Sequence, residues 1–508
     1  MSMSFINVAD LTFAYEGSYD NIFEHVSFRL DTDWRLGFTG RNGRGKTTFL
    51  RLLMDLNRKE RQYEYTGSIT APVEFEYFPF AVRDKSRPAI DIVEELYPDY
   101  ELWKLLREIN LMEMDAEALY RPFETLSSGE RTKVMLAVLF LKEHSFLLID
   151  EPTNHLDTEA RRAVSRYLNR KKGFILVSHD RVFMDECIDH VLSLNKNTIE
   201  VVQGNFTSWW DNKQRRDEFE AMENEKLKKE IGRLKEAARQ AERWSDAVEK
   251  TKRGTRTGGL RPDRGYIGHK AAKMMKRSKS AENRMEKAAS DKEKLLKDVE
   301  TAESLKIIPL RHHKQLLVAM EDVTLGYPPK NLPVCKHLSL EIKAGDRAVL
   351  DGRNGSGKSS VIKAILGTED APGILSGKME TASGLIISYV SQDTSWLFGS
   401  IDEFTGKNGL DDTLFRAILR KLDFSREHFS KEMQYYSEGQ KKKVLLAKSL
   451  CEQAHLYIWD EPLNFIDVFS RMQIEELILA HRLTMIFVEH DRAFAAKVAT
   501  KRISLYNS

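Results

Sequence analysis

Apolar residues in the middle of the chain recur at alternating spacings of four and three positions. This spacing places them on one face of a helix and is typical of helices that pack side by side. From about Asp211 to Val248 it predicts a helix roughly 55 Å long, at about 1.5 Å per residue. A second stripe from Met274 to Ala302 predicts a returning helix, and together they predict an antiparallel hairpin. The first stripe consists of Leu227, Ile231, Leu234, Ala238, Ala241 and Val248.

Short, continuous apolar runs on either side of this hairpin predict a different kind of element. FLLI at Phe146–Ile149 and LYIW at Leu456–Trp459 are each followed by Asp-Glu, whereas ILVS and IFVE are each followed by His-Asp. Such continuous runs are typical of strands that are buried on both faces. The fold class is therefore expected to be α/β, with a helical hairpin between two α/β domains.

The two α/β domains are predicted to be copies of each other. GRNGRGKTT at Gly40–Thr48 returns as GRNGSGKSS at Gly352–Ser360. LSSGE at Leu126–Glu130 returns as YSEGQ at Tyr436–Gln440, and five such blocks share one order at an offset of about 310 to 312. The expected boundaries are 1–210 for domain 1, 211–305 for the hairpin and 306–508 for domain 2.

Each glycine-rich loop fits the pattern GxxxxGK[ST], whose backbone N–H groups wrap phosphate oxygens at the start of a helix. Lys46 and Lys358 are placed to reach the β and γ phosphates, and Thr47 and Ser359 offer hydroxyl groups to Mg²⁺. The chain is thus expected to bind ATP and Mg²⁺. The nucleotide-binding candidates are Gly40, Asn42, Gly43, Gly45, Lys46, Thr47 and Thr48 in the first loop and Gly352, Asn354, Gly355, Gly357, Lys358, Ser359 and Ser360 in the second.

Two acidic residues follow each of the FLLI and LYIW runs. Asp150 and Asp460 stand at the carboxyl edge of the sheet, where they are expected to hold the magnesium or its water. Glu151 and Glu461 come next and are the candidates to polarise the water that attacks ATP. Acids at strand ends are often solvated loop residues, but the glycine loop upstream favours the catalytic interpretation.

Composition and charge restrict the partners and the cellular compartment that the chain is expected to have. Lys and Arg number 79 against 77 Asp and Glu, so attraction to a polyanion requires local clustering of charge. Three widely spaced cysteines indicate no disulfide framework and favour a reducing cytoplasm. No apolar run is long enough to span a bilayer, so the chain is not expected to enter a membrane.

A basic cluster lies at the turn of the predicted hairpin. The segment from Thr251 to Ser280 contains ten Lys or Arg and one acid, Asp263. Charge runs are usually solvated surfaces, but apolar and aromatic groups interleaved with guanidinium groups suit the phosphates and unpaired bases of structured RNA. The tip, about residues 249–270, is therefore predicted to contact RNA. The candidates are Arg253, Arg256, Leu260, Arg261, Arg264 and Tyr266.

The order of these motifs resembles the ATP-binding cassette (ABC) family: an aromatic residue, the glycine loop, LS-G-[QE], a strand ending in DEP, and a strand ending in His. The resemblance implies that each ATP lies between the glycine loop of one domain and the signature of the other. It also implies that Tyr15 and Tyr327 stack on adenine and that His179 and His490 sense the γ-phosphate. The signature candidates are Ser127, Gly129, Ser437 and Gly439.

The two copies differ at the last signature position, Glu130 against Gln440, and at the position where this family carries a glutamine after a strand. In the second copy the strand YVS is followed by Gln392, a candidate metal ligand, whereas the first copy has Phe80 in YFPF. Since phenylalanine has no oxygen to offer a metal, the two ATP sites are expected to be unequal. Both glutamates are retained, so neither site is expected to be inactive.

Two cassettes joined by a charged helical linker resemble the ABC-F proteins over essentially the whole sequence. The resemblance implies a monomeric ATPase whose two domains pair within one chain and bind the 70S ribosome at the tRNA exit site. It also implies that the tip points toward the peptidyl-transferase centre, near 23S rRNA and the P-site tRNA. With neither an arm inserted in domain 1 nor a C-terminal coiled coil, the chain is most similar to the antibiotic-resistance members that act against lincosamides, streptogramin A and pleuromutilins.

Two other functions fit parts of the sequence. A housekeeping ABC-F translation factor would have the same ATP chemistry and would alter elongation without altering drug susceptibility. A DNA-binding or repair ATPase is supported by the basic hairpin alone, and contacts made only by charge would weaken steeply with salt.

Overall fold

The chain forms two compact units, one made of residues 1–209 with 304–508 and the other of residues 210–303. The six tip candidates, the loop residue Asn354 and most of the predicted returning helix lie outside the described residues. The computed structural model describes residues 4–15, 21–58, 62–142, 144–153, 156–194, 199–251, 307–328, 332–352 and 355–505, and the single positions Lys273, Lys276, Lys279, Ser280, Arg284 and Lys287.

The first domain combines an antiparallel sheet with a larger, mainly parallel one. Its elements are β1 (Phe5–Phe13), β2 (Phe23–Asp31), β3 (Arg35–Thr39), α1 (Lys46–Asp55), β4 (Thr66–Thr70), β5 (Glu74–Phe78), α2 (Ala89–Leu96), α3 (Leu102–Leu111), α4 (Ser128–Leu141), β6 (Ser145–Asp150), α5 (Thr158–Leu168), β7 (Phe174–Val177), α6 (Arg181–Cys187), β8 (His190–Leu194) and β9 (Ile199–Gln203). The antiparallel sheet has the order β2-β1-β4. The larger sheet has the order β5-β6-β7-β3-β8-β9, in which β9 runs antiparallel to β8.

The continuous apolar runs form the buried central strands that they predict. Phe146, Leu147, Leu148 and Ile149 of β6 are each at most 2% exposed. A parallel sheet carries helices on both faces, so every residue of such a strand needs an apolar side chain. The strand ends at Asp150, where the sheet meets the glycine loop.

A helix of 46 residues, α7 (Phe206–Thr251), follows β9 and continues into the second unit. It confirms the first predicted helix, but it begins five residues earlier and ends three residues later. Asn205 caps the start of the helix, because its Oδ1 accepts the N–H of Ser208 at 3.0 Å, and Phe206 is buried, so the helix begins ahead of its apolar stripe. Within the stripe, Ile231 is buried.

The second domain repeats the first. Its elements are β10 (Leu316–Tyr327), β11 (Leu332–Lys343), β12 (Arg347–Asp351), α8 (Lys358–Leu366), β13 (Gly373–Thr381), β14 (Ile387–Val390), α9 (Ile401–Lys407), α10 (Asp412–Lys421), α11 (Arg426–Phe429), α12 (Glu438–Cys451), β15 (Leu456–Asp460), α13 (Val468–His481), β16 (Met485–Val488), α14 (Arg492–Val498) and β17 (Lys501–Ser504). A parallel sheet of order β14-β15-β16-β12-β17 packs near an antiparallel sheet of order β11-β10-β13. The expected α/β fold with two tandem domains is therefore confirmed.

An ion pair joins the two domains within the larger unit. The guanidinium of Arg181, at the start of α6, pairs with the fully buried carboxylate of Glu475 in α13. The ammonium of Lys497 in the second domain lies 3.1 Å from the same carboxylate but is about half exposed. The buried charge of Glu475 is thus compensated across the domain boundary, mainly by Arg181.

Replacing Arg181 by methionine should destabilise the paired domains by about 3 kcal/mol, because a buried carboxylate loses its best partner. Lys497→Met is the matched control and should cost at most about 1 kcal/mol, since water screens a half-exposed ammonium. Calorimetric unfolding measures both effects as changes in Tm. Equal losses of Tm in the two variants would contradict the role given to the interdomain pair.

Candidate ATP sites between the two domains

A cavity of about 540 Å³ lies between the glycine loop of domain 1 and the signature of domain 2. It is called the first site here, and the region around Lys358 is called the second site. The first site thus brings together two segments that are separated by about 390 residues of sequence. Its wall is formed by Asn42, Gly43, Lys46, Thr47, Asp150, Glu151, Val177 and His179 of domain 1 and by Asp423, Phe424, His428, Ser437, Glu438, Gly439, Gln440, Lys443 and Phe465 of domain 2.

The glycine loop forms one wall of the first site, and this wall is suited to bind phosphate. Gly43 and Gly45 adopt φ values of 80° and 105°, which disfavour other residues, and helix α1 begins at the next residue, Lys46. The Nζ atom of Lys46 donates to the carbonyl oxygens of Gly40 at 2.5 Å and Arg41 at 3.1 Å. Burial lowers the pKa of Lys46, whereas the nearby acids oppose that shift. The loop therefore holds a buried ammonium beside the free N–H groups of a helix start, which is an anion site.

The second loop has the same construction in its described part. Helix α8 begins at Lys358, directly after Gly357 with a φ of 90°. The Nζ atom of Lys358 donates to the carbonyl oxygen of Gly352 at 2.8 Å. Gly355 also has a positive φ, 81°, so the two loops bend at equivalent places.

The carboxylates at the strand ends fit a hard cation. Oδ1 of Asp460 and Oε1 of Glu151 are buried and accept no hydrogen bond from any residue in the described ranges. A hydrogen bond links the hydroxyl of Ser359 to Asp460, so two candidate metal ligands are adjacent. In the first site, the hydroxyl of Tyr77 donates to Oδ2 of Asp150 at 2.7 Å. These oxygen donors are the type that Mg²⁺ prefers, and a bound Mg²⁺ would neutralise phosphate charge there.

Each candidate base faces its histidine. The distance from Nε2 of His179 to Oε1 of Glu151 is 3.3 Å, and that from Nε2 of His490 to Oε1 of Glu461 is 3.5 Å. Burial, aided by the charge of Asp150, raises the pKa of Glu151 to about 8. Burial also acts to raise the pKa of Glu461, but hydrogen bonds from its neighbours, His490 among them, outweigh it and leave that pKa lowered. The surroundings of the two candidate bases therefore shift their pKa values in opposite directions.

The difference between Gln392 and Phe80 contributes to this inequality. Nε2 of Gln392 donates to Oε2 of Glu461 at 2.9 Å, and Nδ2 of Asn464 donates to the same oxygen at 2.8 Å. Gln392, expected from the sequence as a metal ligand, thus contacts the candidate base in this structure. Phe80 is half-buried in the first domain and has no amide with which to make the equivalent contact.

The two tyrosines expected to stack on adenine are anchored by the residues after the glycine loops. The hydroxyl of Tyr15 lies 3.0 Å from Oγ1 of Thr48, and that of Tyr327 lies 3.2 Å from Oγ of Ser360. Tyr15 is 39% exposed, so part of its ring is open to a base. Thr48 and Ser360, proposed from the motif as nucleotide contacts, therefore also position the aromatic rings.

The signatures start helices α4 and α12 through capping boxes. The hydroxyl of Ser127 accepts the N–H of Glu130, whose carboxylate accepts the N–H of Ser127. Ser437 and Gln440 form the same pair of bonds at α12. Glutamate and glutamine serve equally in such a box. Gly129 and Gly439 follow in the first turn of each helix.

Four residues of the first site carry no motif and could not be found from the sequence. Oδ1 of Asp423 lies 3.3 Å from Nη1 of Arg41 and 3.7 Å from Nη2 of Arg44, and both arginines belong to the glycine loop of the other domain. Nδ2 of Asn42 donates to the carbonyl oxygen of Phe465 at 3.0 Å. These contacts join segments that only the pairing of two domains brings together. The four residues are Asp423, Phe424, His428 and Lys443, whereas Phe465 lies within the repeated block LYIWDEPLNFID.

Comparison with known proteins agrees with this geometry. The family profile described as ABC transporter matches residues 23–154 and 335–464, which together are more than half of the chain. The chain belongs to the ABC transporter family. Tandem ABC domains imply ATP hydrolysis as the activity, generally with Mg²⁺. Across the described ranges, no helix combines the length and the apolar character that crossing a bilayer requires.

Relatives of this ABC protein support its resemblance to the ABC-F group. It is 27% identical over 506 residues to the ribosome protection protein VmlR of Bacillus subtilis, covering 97% of this chain and 86% of that one. It is 26% identical over 530 residues to the energy-dependent translational throttle protein EttA of Haemophilus influenzae, covering 94% and 88%. An archaeal ribosome recycling factor, aABCE1, solved with the stalk protein aP1, shares the fold with a TM-score of 0.59 at 18% identity, covering 97% and 87%.

Proposed function

We propose that this ATPase binds the 70S ribosome at the tRNA exit site and protects the peptidyl-transferase centre from lincosamides, streptogramin A and pleuromutilins. The observation that carries the proposal is the first site, whose wall requires both domains at once. A nucleotide bound in this site would contact both domains, so ATP would stabilise the closed form. Similarity to a ribosome protection protein along 97% of the chain supports the ribosome as the target of that form.

The proposed cycle follows from the contacts between the domains. ATP held by Lys46 and Lys358 favours closure, in which Asn42 meets the carbonyl of Phe465. The closed form occupies the ribosome, and the hairpin tip displaces drug by contact or by rearranging rRNA. Glu151 and Glu461 then polarise the attacking water, and hydrolysis releases the protein.

Exposed cations on the hairpin support an RNA target. Lys273, Lys276 and Lys279 are helical, exposed and three residues apart, so they share one helix face. Arg284 and Lys287 continue the series with the same spacing between them. Such rows suit the RNA backbone, which positions a protein without specifying sequence. We propose that the tip, and not these rows of cations, recognises the bases.

A susceptibility panel tests the function directly. A drug-sensitive bacterium expressing this chain should tolerate at least one of the three drug classes at a higher concentration than the same strain without it. Unchanged susceptibility to all three classes would contradict the protective function. Ribosome binding with altered elongation and unchanged susceptibility would favour the second candidate, a housekeeping translation factor, to which the similarity with EttA points.

Changing the apolar groups of the tip should separate protection from ATP hydrolysis. Leu260→Ala with Tyr266→Ala should remove most of the protection, because stacking and apolar contacts contribute about 1–3 kcal/mol per base. ATP hydrolysis by the purified variant should stay within about twofold of the unmodified chain, since Leu260 and Tyr266 belong to none of the ATP-binding motifs.

The matched control for the tip is a leucine and aromatic pair that is exposed in domain 1, Leu102 with Trp103. Leu102→Ala with Trp103→Ala should leave protection unchanged. If the tip variant still protects fully, Leu260 and Tyr266 have no part in the mechanism.

A further inference from the structure

The side chain of Arg161 is hydrogen-bonded to both ATP-binding domains. In its own domain, Nε donates to the carbonyl oxygen of Leu156 at 3.0 Å and Nη2 to that of Thr153 at 3.2 Å. Nη1 donates to Oδ2 of Asp180 at 2.9 Å. The same Nη1 donates to the carbonyl oxygen of His490, in the other domain, at 3.1 Å. One largely buried guanidinium thus donates hydrogen bonds to four acceptors.

These acceptors connect the two ATP sites. Thr153 lies two residues after Glu151, and Asp180 follows His179, so the position of Arg161 depends on the backbone of the first site. On the other side, His490 faces Glu461 in the second site at 3.5 Å. A shift of the first site's loops would therefore move the group that holds the main chain of His490.

A second contact holds the peptide N–H of His490 within its own domain. The N–H of His490 donates to Oε1 of Glu489 at 2.9 Å, so its peptide N–H and its carbonyl are both held. Glu489 stands where the first domain has Ser178. The N–H groups of Asp491 and Leu463 also donate to the carboxylate of Glu489. The backbone of His490 is thus clamped by its own domain at one end and by Arg161 at the other.

The homologous arginine of the second domain makes the three equivalent bonds within its own domain. Arg471 donates to the carbonyl oxygens of Ile466 at 2.9 Å and Leu463 at 3.0 Å, and to Oδ2 of Asp491 at 2.9 Å. Within the described parts of the chain, all of these acceptors belong to its own domain. The contact that crosses to a histidine therefore runs from the first domain to the second.

We propose that Arg161 is a positioning residue that transmits the state of the first ATP site to the second by holding the main chain of His490. The planar fork of arginine reaches its acceptors in fixed directions, which a lysine ammonium cannot do. Loss of the fork lets His490 move away from Glu461 and slows hydrolysis at the second site. This inference rests on the proposed roles of Glu151 and Glu461 as the bases.

Lysine substitutions in chains with one working site test the proposal. Glu151→Gln leaves hydrolysis to the second site, and Glu461→Gln leaves it to the first. In the E151Q chain, Arg161→Lys should lower kcat about tenfold and change KM for ATP by less than about twofold, because geometry and not binding is lost. In the E461Q chain, the same substitution should lower kcat less than about threefold.

Arg471→Lys is the matched control, because the hydrogen bonds given above for Arg471 stay within its own domain and lysine keeps the charge that acts on Glu151 and His179 across the boundary. In the E461Q chain, only the first site hydrolyses ATP, and this site belongs to the domain opposite Arg471. There, Arg471→Lys should change kcat by less than about twofold. In the chain with both glutamates, Arg161→Lys should lower the Hill coefficient for ATP toward 1, whereas Arg471→Lys should preserve it. A merely structural role of Arg161 would not produce this difference.

Three outcomes decide the inference. Selective loss at the second site supports it, and equal losses at both sites or no loss overturn it. Arg161→Gln, which keeps one amide donor, provides the same comparison if the lysine variant does not fold. If E461Q alone leaves hydrolysis at the level of the unmodified chain, the assignment of Glu461 as a base is wrong and the inference falls with it.

Discussion

Glu151→Gln combined with Glu461→Gln should lower ATP hydrolysis about 100- to 10,000-fold, the usual contribution of a general base. Glutamine has nearly the same shape as glutamate but cannot take a proton from the attacking water. Both carboxylates lie at the ends of buried strands and face a histidine within 3.5 Å. Binding of ATP should survive, because Lys46 and Lys358 are unchanged. The double variant should therefore accumulate in the closed form.

Sedimentation of 70S ribosomes with the double variant measures that accumulation. We expect the variant to cosediment in ATP and to remain in the supernatant in ADP, while the unmodified chain is released as it hydrolyses ATP. Glu74→Gln, at an exposed position of β5, is a control that should behave like the unmodified chain. No ribosome complex in ATP would contradict the ribosome proposal, whereas unimpaired hydrolysis would contradict the choice of bases.

Gly439→Ala should impair closure of the first site much more than Gly129→Ala impairs closure of the second. A Cβ atom on Gly439 would lie 2.5 Å from the carbonyl oxygen of Phe465, which is backbone and cannot rotate away. That same carbonyl accepts the side chain of Asn42 from the other domain. Overpacking of this kind costs about 1–3 kcal/mol. Since Gly439 and Phe465 belong to the same domain, that cost applies to both states. The equilibrium for closure should fall about 2- to 13-fold, because the displaced carbonyl loses the hydrogen bond from Asn42, worth about 0.5–1.5 kcal/mol.

Gly129→Ala is the control at the equivalent position of domain 1. Its Cβ atom would lie 3.3 Å from the side chain of Ala160, a contact that a small shift relieves. Alanine also favours the helix over glycine, by about 1 kcal/mol. Energy transfer between dyes on the two domains, titrated with ATP, measures closure of both variants. Equal changes in the two titrations would show that the backbone of Phe465 does not limit closure.

The repeated motifs made much of the ATP chemistry accessible from the sequence. A glycine loop needs its lysine and hydroxyl residue at fixed spacing, so GRNGRGKTT and GRNGSGKSS identify both loops without knowledge of the fold. The acidic pairs after β6 and β15 are equally local, because the strand and its end lie in one short run. The apolar stripe predicted helix α7 for the same reason. Its true start at Phe206 follows the cap residue Asn205, which the spacing of the stripe does not include.

The tertiary structure decided how the two copies differ and how they communicate. The sequence identified Gln392 and Phe80 as a difference, but the bond from Gln392 to Glu461 depends on where two separate loops meet. Likewise, Asp423 and Arg161 belong to no motif. The arginine partners of Asp423 and one of the four acceptors of Arg161, the carbonyl of His490, lie in the other domain. By itself, the sequence determined the duplicated α/β domains, the loops and the candidate bases, because each is encoded within a short segment. Only the tertiary structure decided the wall of the first site and the link to His490, because those contacts join residues that are hundreds of positions apart.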